Sequence, residues 1–210
     1  MSGKLTLLEH PVLKHKLGCL RDKNTGSNEF RELMREISRL LAYEATRDMK
    51  TYTDKVDTPL ANGAEVQRIQ DPPVIVSIMR AGNGMIDGIL QTLPICSAGH
   101  IGIYRDKFIN NTVEYYFKLP VNAKGRTILL ADPLLATGDT AIACIDRLKQ
   151  YNVGNIKMLC ILCSPKGLER LHHFHPDVEV IALAKEEGLN DQGYLLPGIG
   201  DAGDRLYQTK

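Results

Sequence analysis

Thr127-Ile128-Leu129-Leu130-Ala131-Asp132-Pro133-Leu134-Leu135-Ala136-Thr137-Gly138-Asp139-Thr140 is the stretch whose reading decides the fold. Thr127–Ala131 is an apolar run of strand length. It ends in an acid, and a short loop with Thr and Gly leads into the helix-like spacing of Thr140–Tyr151. At a helix start several backbone N–H groups lack partners and the macrodipole is positive, which makes an anion cradle. Gly138 allows close backbone approach, and Thr137 and Thr140 add hydroxyl donors. Asp132, at the strand end, is placed to accept hydrogen bonds from a sugar diol. The same residues equally describe an ordinary strand, turn and Asp or Thr cap, which any α/β protein has many times. A Walker loop is excluded, because GxxxxGK[ST] occurs nowhere in the chain.

Working outward, Val74–Met79, Ile156–Cys163 and Val178–Ala184 are further short apolar runs, and Met85–Leu93 and Lys166–Phe174 carry helical spacing between them. Strands that read as near-continuous apolar runs are covered on both faces by crossover helices. The alternation therefore predicts an α/β fold with a parallel sheet flanked by helices, and ligands at the strands' carboxyl ends. Residues 100–120 interrupt it: Ile101–Tyr104 and Glu114–Leu119 flank a polar stretch and read as a projecting β-arm. Upstream, Phe30, Leu33, Met34, Ile37, Leu40 and Leu41 mark one face of an amphipathic helix within Ser27–Lys50. Residues 51–73 read as loop or short strands. The tail from Gly188 to Gly203 holds five glycines and one proline and reads as irregular.

Length and composition bound the rest. At ~150 residues per domain, 210 residues predict one domain over 1–210, with an N-terminal helical segment 1–50, an α/β core 74–184, the arm 100–120 and the tail 188–204. With 43% hydrophobic and 24% charged residues the chain is of globular type, not disordered, collagenous or coiled coil. A net charge of +1 supplies no global field toward a polyanion, so no nucleic-acid partner is expected. The opening MSGKLTLLEHPVLKHK lacks a signal-peptide apolar segment, and no run approaches the ~18 residues that span a bilayer; a cytoplasmic, membrane-free protein is expected. Asn110-Asn111-Thr112 fits a glycosylation triplet that an unexported protein does not use.

The remaining clusters read as structural. Cys160 and Cys163 form CxxC, but residues three apart on a strand point to opposite faces and cannot share a metal. Five cysteines without secretory context argue against a disulfide framework. Cys144 sits on an apolar helix face and reads as core. His172, His173 and His175 end a short helix and read as solvated surface. Gly198-Ile199-Gly200-Asp201-Ala202-Gly203 is a literal GxGxxG, yet only seven residues follow it, too few for a dinucleotide-binding βαβ unit.

Asp132–Thr140 (DPLLATGDT) resembles the ribose-phosphate loop of type I phosphoribosyltransferases. Arg80-Ala81-Gly82-Asn83-Gly84-Met85, Tyr115-Tyr116-Phe117-Lys118-Leu119-Pro120 and the segment from Gly188 to Asp204 look like the uracil phosphoribosyltransferase family. These motifs run from 80 to 204 in the family's order, and the N-terminal helix fits as well. At Asp139 the chain departs from the family, which has a second glycine there; a carboxylate beside a phosphate cradle repels the ligand unless it turns to solvent.

The resemblance implies a type I phosphoribosyltransferase-like fold and the conversion of uracil and 5-phospho-α-D-ribose 1-diphosphate (PRPP) to UMP and diphosphate. It implies that Arg80, Arg105 and Asp201 are the catalytic contacts. PRPP would be held by these with Asp132, Pro133, Leu134, Leu135, Ala136, Thr137, Gly138, Asp139 and Thr140. Uracil would be lined by Leu195, Gly200, Asp201 and Ala202. No protein metal site is implied; Mg²⁺ is expected with the diphosphate, and a homodimer or homotetramer is expected. The 106–120 arm is expected to close over the site, with Lys118 reaching the phosphates. A non-enzymatic PRPP sensor that binds RNA would reuse the same loop but needs a basic patch, and Lys14-His15-Lys16 is the densest short run. A purine or orotate transferase is the nearer alternative; orotate's carboxylate wants a cation that Leu195–Ala202 lacks.

Overall fold

A computed structural model describes residues 3–106 and 111–209, with the backbone alone for Arg105, Asp106 and Asn111. The N-terminal part comprises β1 (Leu5–Leu7), α1 (Pro11–Arg21), α2 (Ser27–Ala45), β2 (Thr51–Val56) and β3 (Ala64–Ile69). The core follows as β4 (Val74–Met79), α3 (Asn83–Thr92), β5 (Ser97–Asp106), β6 (Asn111–Lys118), β7 (Ile128–Ala131) and β8 (Leu134–Leu135). It continues through α4 (Asp139–Gln150), β9 (Ile156–Cys163), α5 (Pro165–Phe174) and β10 (Glu179–Lys185). The tail forms a small hairpin, β11 (Gly188–Leu189) with β12 (Leu195–Leu196), and the short helix α6 (Ala202–Tyr207).

The main sheet has the order β1-β10-β9-β7-β4-β5-β6, with β8 pairing β9 beside it. Every pair is parallel except β5 with β6. From β4 the chain steps through α3 to β5 in one direction, and from β7 it steps through α4 to β9 in the other. Crossovers of one hand that travel in opposite directions put their helices on opposite faces. The core agrees. Phe30, Ile37, Met85 and Ile89 pack on Ile75 and Leu129 on one face; Cys144, Ile145, Leu148 and Leu171 pack on Val76 and Leu130 on the other. The reversal falls between β4 and β7, so the crevice that binds ligands in such sheets opens at Met79 and Ala131.

The four core strands lie within one or two residues of their expected places. Segment 1–50 is not purely helical, because β1 adds an edge strand parallel to β10. Helix α2 stops at Ala45, five residues short of Lys50: the Thr46 hydroxyl donates to the carbonyls of Ala42 and Tyr43, and the chain then enters the β2–β3 hairpin. Leu40, expected on the buried face, is partly exposed, while Ser38 and Ala42 are buried there. The β-arm is the β5–β6 pair, and its base is braced. Arg147 of α4 pairs with Glu114 at 3.0 Å and stacks 4.2 Å over the Phe117 ring. Lys118 pairs with His100, level with Ser77 and below the crevice rim. The expected tip, 107–110, lies outside the described residues.

The CxxC reasoning needs correction. The N–H groups of both Ile161 and Leu162 donate to the Pro133 carbonyl, at 2.9 and 3.1 Å, and both side chains join one core cluster, so strict alternation lapses there without a shift of register. The lapse leaves Cys160 and Cys163 on one face, where both are buried in the same cluster. The Cys163 thiol and burial push the Cys160 thiol well above its ordinary range. Both remain free cysteines, and no group of three metal-ligating side chains occurs among the described residues. His175 is likewise not surface: it is 4% exposed, with Nδ1 3.2 Å from Lys149 Nζ and Nε2 3.3 Å from Asp146. Burial lowers its pKa.

The turn after β4 lies hard against the end of β7. A Cβ on Gly82 would fall 2.3 Å from the Ala131 carbonyl oxygen and 2.6 Å from that of Ile78. Gly82→Ala is therefore expected to destabilise the protein by about 1–3 kcal/mol, as overpacking does, and to lower the urea midpoint. An unchanged midpoint would contradict the contact.

Candidate active site

Three segments meet at the crevice. The first is the strand-to-helix passage after β7. Asp132 is half-buried at the strand end. Pro133–Ala136 is not a free loop, because β8 pairs with Leu162–Cys163 and Leu135 is 1% exposed. The Pro133 and Leu135 carbonyls accept backbone N–H groups of β9 and Ser164, and the Ala136 carbonyl accepts the Ser164 hydroxyl at 2.5 Å. With those carbonyls engaged, the chain turns at Gly138, whose φ of +86° favours glycine. The first helical bond of α4 runs from Ile142 N–H to Gly138 C=O, so the N–H groups of Asp139, Thr140 and Ala141 precede it and have no intrahelical acceptor. The anion cradle expected there has the right backbone.

Asp139 does not turn to solvent. Its Oδ1 pairs with Arg170 of α5 at 2.7 Å, and its Oδ2 accepts the Thr137 hydroxyl at 2.9 Å. The carboxylate that would repel a phosphate carries its own counter-charge. Sequence reasoning missed Arg170 because it stands one helix away, and nothing local marks it.

The second segment is the turn after β4. Ser77, buried in β4, donates to Asn83 Oδ1 at 2.7 Å and lies 2.8 Å from His100 Nδ1. This network ties β4, β5 and the first residue of α3 across the turn that carries Arg80. Its only sequence signal is a lone polar residue in Val-Ile-Val-Ser-Ile-Met.

The third segment is the tail. Arg80 Nη2 lies 3.5 Å from Asp204, Arg80 Nη1 lies 3.3 Å from the Thr209 hydroxyl, and the Tyr207 hydroxyl donates to the Arg80 carbonyl at 3.2 Å. Asp201 caps α6 by accepting the Asp204 N–H at 3.0 Å, with the Tyr194 hydroxyl 3.5 Å from its other oxygen. Leu195 is buried in the core beneath this loop, Ala202 is the first residue of α6, and Gly200 is exposed. The structure thus brings Arg80 to the tail residues and, through Gly82, the turn that carries it to the end of β7 at Ala131. Arg105 stands on β5 by its backbone; its side chain lies outside the described residues.

Burial pushes the Asp132 carboxyl up to about 7, against the opposing pull of the Leu134 N–H. The site therefore holds a carboxyl group near its titration point.

Solved structures share this architecture. Adenine phosphoribosyl transferase from Trypanosoma brucei, in complex with AMP, pyrophosphate and ribose-5-phosphate, superposes with a TM-score of 0.57 over 90% of this chain and 86% of that one, at 17% identity. The reversal point, the strand-to-helix passage after β7 and this likeness define a type I phosphoribosyltransferase fold. The AQ2163 protein from Aquifex aeolicus matches with a TM-score of 0.92 and 32% identity over 98% of this chain and 99% of that chain. The uracil phosphoribosyltransferase family model matches residues 7–209. Uracil phosphoribosyltransferases from Legionella pneumophila strain Philadelphia 1 and Geobacillus kaustophilus are 47% and 44% identical over 208 residues, covering 99% of this chain and 97% and 100% of theirs. The chain belongs to the uracil phosphoribosyltransferase family, and it is a pentosyltransferase.

The raised Asp132 pKa has a thermodynamic consequence. Between the ordinary carboxylate value near 4 and about 7 the native state holds a proton that the unfolded chain releases, so stability falls as pH rises through that window. Asp132→Asn removes that dependence. Its Tm relative to the parent is expected to rise from pH 4 to pH 8; a pH-independent difference would contradict the assignment.

Proposed function

We propose that the chain transfers the 5-phosphoribosyl group from PRPP to N1 of uracil, giving UMP and diphosphate. The observation that carries this reading is the meeting of Arg80 with Asp204 at 3.5 Å while the same turn touches Ala131 through Gly82. One cation thereby stands beside both the end of β7, from which the chain runs on to the helix-start cradle, and the tail. The cradle's N–H groups and the Thr140 hydroxyl suit the 5-phosphate, and Asp132 suits the ribose hydroxyls, while the Thr137 hydroxyl is given to Asp139. Arg80 presents a fork of donors to the diphosphate, a role Arg105 shares in this reading. Pro133, Leu134, Leu135 and Ala136 contribute by backbone position, because their side chains or carbonyls serve the fold.

Uracil offers acceptors at O2 and O4 and a donor at N3, so glycine-rich backbone at Gly200, Asp201 and Ala202 can read it. As N1 attacks the anomeric carbon, the bond from that carbon to diphosphate breaks and the N1 proton is released. Negative charge gathers on O2 and O4, and donors at Gly200 and Ala202 are suited to hold it. Asp132 and Asp201 are hard oxygen donors, too few for a cage. They fit Mg²⁺ that keeps several waters and rides on the diphosphate, whose charge it would neutralise when bound. Homo-oligomeric assembly and a cytoplasmic site of action belong to the same reading. No described helix is long and apolar enough to cross a membrane.

The regulator reading gains nothing, since the Lys14–Lys16 run adds no phosphate-binding stripe. Uracil, cytosine, hypoxanthine and orotate are each to be offered with PRPP and Mg²⁺ while diphosphate release is followed. Release with uracil alone is expected, because each mispaired buried group costs ~1–3 kcal/mol. Release with none of them would overturn the assignment. Arg80→Ala is expected to lower kcat at least about a hundredfold, as loss of a charge-stabilising donor does. The half-exposed side chain makes the cost in folding stability under about 1 kcal/mol. Wild-type kinetics in that variant would exclude the role.

A further inference from the structure

Arg21, the last residue of α1, and Glu186, just after β10 and two residues before the tail, form an ion pair outside the crevice motifs. The Glu186 side chain is 1% exposed and that of Arg21 27%. The pair does not close on itself. Arg21 Nη1 donates to the Gly198 carbonyl at 2.8 Å, and the Gly198 N–H donates to Glu186 Oε2 at 3.0 Å. Both polar groups of one glycine are thus held by the two opposite charges of one pair. The next residue is tied too: Arg205 Nη1 donates to the Ile199 carbonyl at 3.0 Å and to the Leu20 carbonyl at 2.6 Å. Arg205 Nη2 donates to the Asp22 carbonyl at 2.7 Å, and the guanidinium stacks 4.3 Å over Phe30.

These ties reach the residues just before Gly200 and Ala202 and stop there. The N–H groups of Gly200 and Ala202 take no partner among the described residues. A backbone that reads a flat base must present its donors at set positions, and a misplacement of about 1 Å costs binding. We propose that Arg21 and Glu186 are positioning residues for nucleobase recognition: the pair aims the Gly200–Ala202 backbone and so sets the affinity for the base, leaving the affinity for PRPP alone. The inference rests on the reading that this backbone takes uracil.

A purely structural pair behaves differently. Replacing a buried ion pair by apolar residues of similar size is often neutral for folding, whereas removing one partner strands a buried charge. The double variant Arg21→Met with Glu186→Leu keeps the volume and frees Gly198, so it separates the two roles. Its Tm is expected to fall, because the buried N–H and C=O of Gly198 lose their partners; its KM for uracil is expected to rise about tenfold and its KM for PRPP to change less than twofold. Arg21→Lys keeps the charge but cannot hold Gly198 and Glu186 with one fork, and an intermediate KM for uracil is expected. Should the double variant not fold, Arg21→Lys and Glu186→Gln decide by the same split between the two KM values. Unchanged KM for uracil in folded variants, or KM values for both substrates rising together, would overturn the positioning role while the parent's turnover of uracil stands. A parent that does not turn over uracil would instead overturn the functional reading and this inference with it.

Discussion

The contact on which the site depends is backbone against backbone: Gly82, in the turn after β4, lies where a Cβ would strike the Ala131 carbonyl at 2.3 Å. Two parallel strands whose onward connections leave in opposite directions open a crevice between their carboxyl ends. A transferase that joins a base to a sugar phosphate needs the diphosphate, the ribose and the 5-phosphate handled within one small molecule's length. Only a glycine lets the arginine-bearing turn pack so near the acid-bearing strand end. The Ser77, Asn83 and His100 network then holds the turn from below.

Charge at the site is arranged in closed local sets. Asp139 stands at the start of α4, where the macrodipole favours an anion, and Arg170 neutralises it from α5. The consequence of this partly buried pair is local: a carboxylate can occupy the start of α4 without a net negative charge there. Among the described residues Asp132 has no such partner cation. Burial leaves it titrating near neutrality, where a ligand that donates hydrogen bonds can draw it to the ionised form.

The tail is short and rich in glycine, and it has little intrinsic order. Its geometry is supplied from the other end of the chain. Arg21 and Arg205 bridge α1 and the segment after it to Gly198 and Ile199, and Arg31 of α2 donates to the Leu206 carbonyl at 2.7 Å. The N-terminal helices therefore do more than cover the sheet. They are the floor on which the glycine-rich tail is laid.

The apolar runs and their spacing were enough to read the α/β alternation, four core strands and the helix start after Gly138, because strands buried on both faces and helix starts leave strong local patterns. The places of Arg80 and Asp132 just past strand ends were legible for the same reason. The lapse in alternation at Ile161–Leu162 was not legible, because both N–H groups turn to the Pro133 carbonyl of a distant segment, and so the facing of Cys160 and Cys163 was misjudged. Nor could the burial of His175 be seen from a helix end that looked solvated. What the order of residues determined by itself was which segments become strands, helices and turns, since hydrophobic period and turn chemistry act over a few neighbours. Only the tertiary structure decided that Asp139 meets Arg170 and that Arg21 and Glu186 grip Gly198, because those charges find their partners across tens to more than a hundred residues of chain.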